Sequence, residues 1–229
     1  MPSADKRVIV AFDSTDLREA LALGRKLRGL IRYAKLGTIL FTAAGPEAIA
    51  RFKALGFEVF LDLKFHDIPS TVEKSCRAAA RHGLWMLTVH ASGKRDMLEA
   101  AVAGAKQGAR DAGVSRPQVV GVTVLTSVGD GKGIAARALS LAQQAKRAGL
   151  DGAVTSAQEA PLIRRRLGRA FALVCPGIRP ADVDSSDQRR VVTPREAIAR
   201  GADFLVVGRP ITGAEDPRRA TQRILKEIR

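Results

Sequence analysis

The chain has 229 residues, of which 46% are hydrophobic, and 38 Lys and Arg stand against 23 Asp and Glu for a net charge of +15. That much apolar content excludes bulk disorder, and an aromatic share of only 4% excludes a surface that reads bases chiefly by stacking. Arg (27) outnumbers Lys (11), so part of the basicity is compositional bias, and the remainder points to anionic ligands: nucleic acid, a membrane surface or phosphorylated metabolites.

Short β-branched runs alternate with helix-period runs along the whole chain. The first half reads as strand 7–13 and helix 15–28, strand 33–37 and helix 46–55, strand 57–64 and helix 69–82, strand 84–91 and helix 96–112. The second half reads as strand 118–126 and helix 134–148, strand 152–156 and helix 157–167, strand 171–177 and helix 193–200, strand 204–209 and helix 216–228. Seven of the helices end before a glycine, at Gly29, Gly56, Gly83, Gly113, Gly149, Gly168 and Gly201, where a left-handed residue can cap the last turn. Parallel strands need crossover helices, and eight such units in this length fit a (β/α)8 TIM barrel, an α/β fold with one domain over residues 1–229. A doubly wound open sheet would need a Gly-rich turn after the first strand, and AFDSTD has none. The longest expected loop is 178–192, a candidate lid, and the run Arg164, Arg165, Arg166 is expected to form a solvated helix face.

In such a barrel the active site lies at the C-terminal ends of the strands. Those ends carry Asp13, Lys35, Asp62 with Lys64, His90, Thr126 with Ser127, Ser156, Arg179 and Arg209. A polar residue ending one strand is commonplace; so many together read as a site. The segment FLDLKFHDIP is the most informative. Side chains alternate along a strand, so Asp62 and Lys64 share a face and Leu63 takes the other. Asp67 follows three residues after Lys64, and an Asp62–Lys64–Asp67 cluster beside Lys35 would be mutually compensating. Two carboxylates favour the ammonium form of Lys64, which suits a proton donor better than an imine-forming amine. Asp62, His66, Asp67 and His90 also include metal-ligating types, but the lysine already supplies positive charge there. His66 and His90 are read as structural histidines, and Trp85 as core. After strands seven and eight, CPGIRP and VVGRPIT each place a Gly and an Arg where phosphate sites of these barrels form.

Cys76 and Cys175 show no metal-ligand spacing and no stapled framework. No run approaches the about 20 apolar residues that span a bilayer, and the N-terminus lacks a signal-peptide pattern. A cytoplasmic protein is the expectation.

DLKFHDIPST, VHASG, VTVLTS, PGIRP, DQRR, TP and VGRPIT, in this order, closely resemble the orotidine 5′-phosphate decarboxylase family. The resemblance spans essentially the whole chain. It implies a (β/α)8 lyase, a carboxy-lyase that converts orotidine 5′-phosphate to UMP and CO2 in the last step of de novo pyrimidine nucleotide synthesis. It implies no cofactor and no metal, a nucleotide as the small-molecule partner, no nucleic acid, no membrane, and a homodimer with shared active sites. By this resemblance Lys64 is the proton donor to C6, and Asp62 lies beside the substrate carboxylate. Lys35 and Asp13 serve the ribose and the charge network. Asp67, Ile68 and Thr71 enter the partner subunit's site. Thr126 and Ser127 face the pyrimidine, and Arg179, Gln188, Gly208 and Arg209 surround the phosphate and its closing loop. Two positions depart from the pattern: Ser70 replaces the usual Asn, and the segment 128–148 is several residues short. A magnesium-dependent 3-keto-gulonate 6-phosphate decarboxylase shares the Asp-x-Lys-x-x-Asp segment, but the FHDIP, LTS and DQRR segments favour the orotidylate enzyme. A nucleic-acid-binding protein, raised by the net charge, has no recognition motif to support it.

Overall fold

The structure, a computed structural model, describes residues 6–125, 133–180 and 192–228. Eight parallel strands close into a barrel in chain order: β1 (Val8–Ala11), β2 (Tyr33–Gly37), β3 (Glu58–Phe65), β4 (Met86–His90), β5 (Gln118–Val122), β6 (Gly152–Val154), β7 (Ala172–Cys175) and β8 (Phe204–Val207). Ile9 of β1 opposite Val206 of β8 closes the ring. All seven helix-ending glycines expected from the sequence have positive φ.

The helices are α1 (Leu17–Leu27), α2 (Thr38–Ala44), α3 (Pro46–Ala54), α4 (Pro69–Ala80), α5 (Lys94–Asp111), α6 (Ile134–Arg147), α7 (Ala160–Leu167), α8 (Pro194–Ala199), α9 (Arg209–Thr212) and α10 (Pro217–Glu227). Strict one-to-one alternation therefore does not hold; the described residues carry two helices more than expected. The segment after Gly37 buries Leu40 and stops at Gly45, whose φ of +58° disfavours other residues, and Pro46 then opens α3. The single turn α9 fits between β8 and Asp216, whose carboxylate accepts from the Arg219 N–H and caps α10.

Two apolar layers follow from strand alternation. Inward residues Ile9, Tyr33, Phe60, Met86, Val120, Val174 and Val206 fill the barrel, and the larger cluster packs sheet against helices. Trp85 is half-buried within the inner layer, stacked on Tyr33 at 3.7 Å between ring centroids, with Phe204 edge-on at 5.0 Å. Both Tyr33 and Phe204 start their strands, so aromatic bulk closes the N-terminal end and leaves the C-terminal end for polar groups. On α5, Gly104 and Gly108 lie one turn apart against the α4 backbone: a Cβ on either would stand 2.1 Å from the Glu73 carbonyl oxygen or 2.0 Å from that of Arg77.

Arg164 is not part of a solvated face. Its guanidinium donates to the carbonyls of Gly168, Phe171 and Gly201 and pairs with Asp203, tying α7 to the starts of β7 and β8, while Arg165 and Arg166 are exposed.

Candidate active site

The C-terminal mouth encloses a cavity of about 310 Å³. Asp13, Lys35, Asp62, Lys64, Arg179, Gly208 and Arg209 all line it, so the structure gathers these sequence-predicted residues in one place. Val122, Val124, Leu125, Val154, Ile178 and Val206 supply its apolar wall.

Four charges form a line across the mouth. Asp13 Oδ1 is 3.1 Å from Lys35 Nζ, Lys35 Nζ is 3.5 Å from Asp62 Oδ2, and the same oxygen is 2.9 Å from Lys64 Nζ. Register explains the neighbours. Lys35 lies opposite Ala11 across the β1–β2 pair, and Asp62 lies opposite Gly37 across β2–β3. Gly37 has to be small, because a Cβ there would stand 2.9 Å from Lys35 Nζ and 3.0 Å from Asp13 Oδ1. The Asp62 and Lys35 side chains are only 12% and 10% exposed, and the burial of each is offset by opposite charges on either side of it. Burial by itself would raise the Asp62 carboxyl. The ammonium groups of Lys35 and Lys64 and the hydrogen bonds from Lys64 and Thr88 outweigh it and hold Asp62 below the usual carboxylate range.

Asp62 and Lys64 do share the mouth, and Leu63 packs outward against the helices. Simple alternation is not the whole reason. The β3–β4 register shifts between Leu61 and Phe65, a bulge in which Lys64 adopts φ +53°. The residue that holds this bulge, Thr88, was not among the expected site residues. It is fully buried on β4, accepts from the Lys64 N–H at 2.8 Å and donates to Asp62 Oδ1 at 3.0 Å. The signal was present: along MLTVH, Thr88 shares the inward parity of Met86 and His90.

Asp67 does not join the cluster in its own chain. It is exposed, and its carboxylate accepts from the N–H of Ile68 at 2.6 Å. Ile68 precedes Pro69 and is extended (φ −58°, ψ 151°), so the chain turns outward before α4 begins. Ile68 and Thr71 are exposed on this excursion. His66 is exposed too, contrary to a structural role in the interior; its ring lies 5.2 Å from that of half-buried His90. Burial, with the nearby His66 and Lys64 charges, lowers the His90 imidazole below its ordinary value. Among the described residues, no three His, Cys, Asp or Glu side chains are grouped to hold a metal ion. Ser156 is buried, and its Oγ accepts from the Gln158 N–H.

At the phosphate-side strands, Gly177 takes φ +77°, Arg179 is buried, and exposed Arg209 opens α9. A bridge between Ile178 and Val192 pins the two ends of the expected lid together. Thr126, Ser127, Gln188 and the lid interior at 181–191 lie outside the described residues.

A closed (β/α)8 barrel with an alternating charge line and two arginines at its C-terminal mouth defines an enzyme of small anionic substrates. Comparison with known proteins narrows this class. The profile of the orotidine 5′-phosphate decarboxylase / HUMPS family matches residues 6–224, and the chain belongs to that family. It is 49% identical to an orotidine 5′-phosphate decarboxylase of Nitrosococcus oceani over 97% of both chains. It is 46% identical to one of Maridesulfovibrio salexigens over 96% of this chain and 98% of the other. Among solved structures, the orotidine 5′-phosphate decarboxylase of Lactobacillus acidophilus superposes with a TM-score of 0.84 at 36% identity, covering 97% of this chain and 99% of that one.

Proposed function

We propose that the barrel mouth decarboxylates orotidine 5′-phosphate to UMP and CO2 without a cofactor, and that Lys64 delivers the proton to C6. The overall reaction is that of the family, the last step of de novo pyrimidine nucleotide synthesis, and makes the chain a carboxy-lyase. The observation that carries the mechanistic reading is the Asp13–Lys35–Asp62–Lys64 line at the cavity wall. Breaking the bond from C6 to the carboxylate leaves an electron pair on C6 with no conjugated sink. A fixed ammonium stabilises that developing charge without reorganisation, and the pair then takes the Lys64 proton. Asp62 holds the ammonium at the reacting side of the cavity, and the apolar wall accommodates the base. Arg179, Arg209 and Gly208 grip the phosphate, with Gln188 from the closing loop; Thr126 and Ser127 face the pyrimidine. Phosphate contacts far from C6 supply binding energy that orders the site.

The same reading makes the protein a homodimer in which Asp67, Ile68 and Thr71 complete the partner's site. Its support is the excursion beyond β3: Asp67 is exposed and accepts from its own Ile68 N–H, the ion pair of Lys64 is with Asp62, and Ile68, an apolar tip, is 64% exposed. All of residues 1–229 constitute one catalytic domain, as the single closed sheet supports. No described helix is long and apolar enough to cross a membrane, in keeping with a cytoplasmic enzyme.

The test follows loss of orotidylate absorbance with purified protein, with no added metal and again with EDTA. Equal, protein-dependent turnover in both is expected. Turnover abolished by EDTA and restored by magnesium would overturn the cofactor-free reading, and absence of turnover in every condition would overturn the reaction.

A further inference from the structure

We propose that Thr88 is a positioning residue for the reaction: its one hydroxyl locks both the backbone of Lys64 and the carboxylate of Asp62. This deepens the functional reading above and rests on it for its kinetic test. Lys64 is one of two non-glycine residues with positive φ among the described residues, and it occurs inside a strand rather than a turn. Such a conformation persists only where surrounding contacts over-determine it. The register shift removes Lys64 from the ordinary β3–β4 ladder, so its N–H needs another acceptor. Thr88 Oγ1 provides that acceptor at 2.8 Å. The same oxygen spends its only proton on Asp62 Oδ1 at 3.0 Å. Asp62 Oδ1 is thereby turned towards β4, which leaves Oδ2 to meet Lys64 Nζ at 2.9 Å and Lys35 Nζ at 3.5 Å.

The assignment is specific about atoms. Thr88 is fully buried and does not line the mouth cavity. It touches no substrate in this arrangement and acts through the two residues that do. Its γ-methyl has only a packing role; the hydroxyl carries the function.

Thr88→Ser and Thr88→Ala both lack the methyl and differ only in the hydroxyl, so comparing them isolates it. Thr88→Val, which keeps the volume, is the third variant. At a temperature where all are folded by circular dichroism, the Ser variant should keep kcat within about threefold of wild type. The Ala and Val variants should lose about 10- to 100-fold in kcat, the equivalent of one hydrogen bond to a charged group. Their affinity for UMP, read by calorimetry, should stay within about threefold, because the phosphate grip is untouched. Equal kcat in the Ser and Ala variants would overturn the proposal, as would a parallel loss of UMP affinity. If wild type does not turn over orotidylate, the reaction reading falls on its own. Crystal structures of the Ser and Ala variants then decide: Lys64 leaves φ +53° in the Ala variant alone if Thr88 is the lock, and in neither or both if it is not.

Discussion

Lys64 holds its ammonium 2.9 Å from Asp62 Oδ2 while its own backbone sits in the left-handed region. The two facts belong together. The bulge that strains Lys64 also aims it into the cavity beside the buried carboxylate. A strained residue at a cavity wall is a residue whose side chain is needed there. Lys64→Ala should therefore lower kcat by at least about 10³-fold, since proton delivery and charge stabilisation are lost together. UMP affinity should change by less than about tenfold, given that Arg179 and Arg209 remain. The check is a single-turnover assay paired with calorimetry, and activity within tenfold of wild type would remove Lys64 from the proton-donor role.

Arg209→Ala isolates the phosphate. An arginine fork on phosphate is a strong, charge-assisted contact. Activity on the nucleotide should fall by about 10²-fold or more, with little further loss on the slow reaction of the phosphate-free nucleoside. Equal losses on the two substrates would make Arg209 structural.

Most of this architecture was legible because it depends on local rules. Helix-ending glycines and eight alternating runs give the barrel, and strand ends give its mouth. The misses share another cause. The turn at Ile68 was visible in Pro69, but whether Asp67 meets its own Lys64 depends on tertiary direction, which spacing does not encode. Arg164 reads as one of three surface arginines until the segments that lead into β7 and β8 bring Phe171, Gly201 and Asp203 oxygens to it. Thr88 reads as an ordinary strand residue because its importance arises from a register shift in the neighbouring strand. Helix α2 is too short and too apolar for a 3.6-residue period to emerge.

Two glycine-to-alanine substitutions should have opposite effects. At Gly108 the new Cβ would meet a backbone carbonyl 2.0 Å away, so α4 and α5 must separate. The expected cost is about 1–3 kcal/mol, a melting temperature lower by roughly 2–10 °C, with kcat per folded molecule unchanged. At Gly37 the new Cβ meets only the ends of the Lys35 and Asp13 side chains, which can move. Gly37→Ala should barely shift melting but lower kcat/KM by about tenfold, because displacement falls on the charge line. Calorimetric melting and steady-state kinetics on both variants check the pair, and a swapped pattern would refute it.

Burial pushes the thiols of Cys76 and Cys175 up to about 12. The folded thiols thus keep their protons where the unfolded chain, near its ordinary value of about 8.5, loses them. A group with a raised folded pKa contributes stability that is complete below the unfolded value and lost as pH climbs towards the folded one. Between pH 9 and 12 the protein should lose stability progressively. The double variant Cys76→Ala, Cys175→Ala, offset by a constant cavity cost, should lose less over the same range. Urea midpoints from pH 7 to 10.5 test this, and parallel curves would contradict it. Iodoacetamide at pH 8 should label neither cysteine until the chain unfolds.

The last expectation concerns the shared site. Asp67 is exposed and its carboxylate accepts from its own Ile68 N–H, while the ion pair of Lys64 is with Asp62. The charge line in one chain is complete without it, two carboxylates against two ammonium groups. A residue placed at the barrel mouth with no partner in its own site, beside an exposed isoleucine, fits a contribution made across a two-fold axis. If Asp67 reaches the neighbouring Lys64, each site draws the two residues from different chains. Lys64→Ala and Asp67→Ala homodimers would then each carry two defective sites. A mixed dimer carries both defects in one site and neither in the other. Random exchange makes about half of the dimers mixed, with one intact site apiece, so about a quarter of wild-type activity should return. Subunit exchange is verified by native mass spectrometry before the assay. Activity that stays at the level of the separate variants after verified exchange would mean that Asp67 serves its own chain. A protein that remains monomeric at assay concentration while fully active would dispose of the shared site altogether.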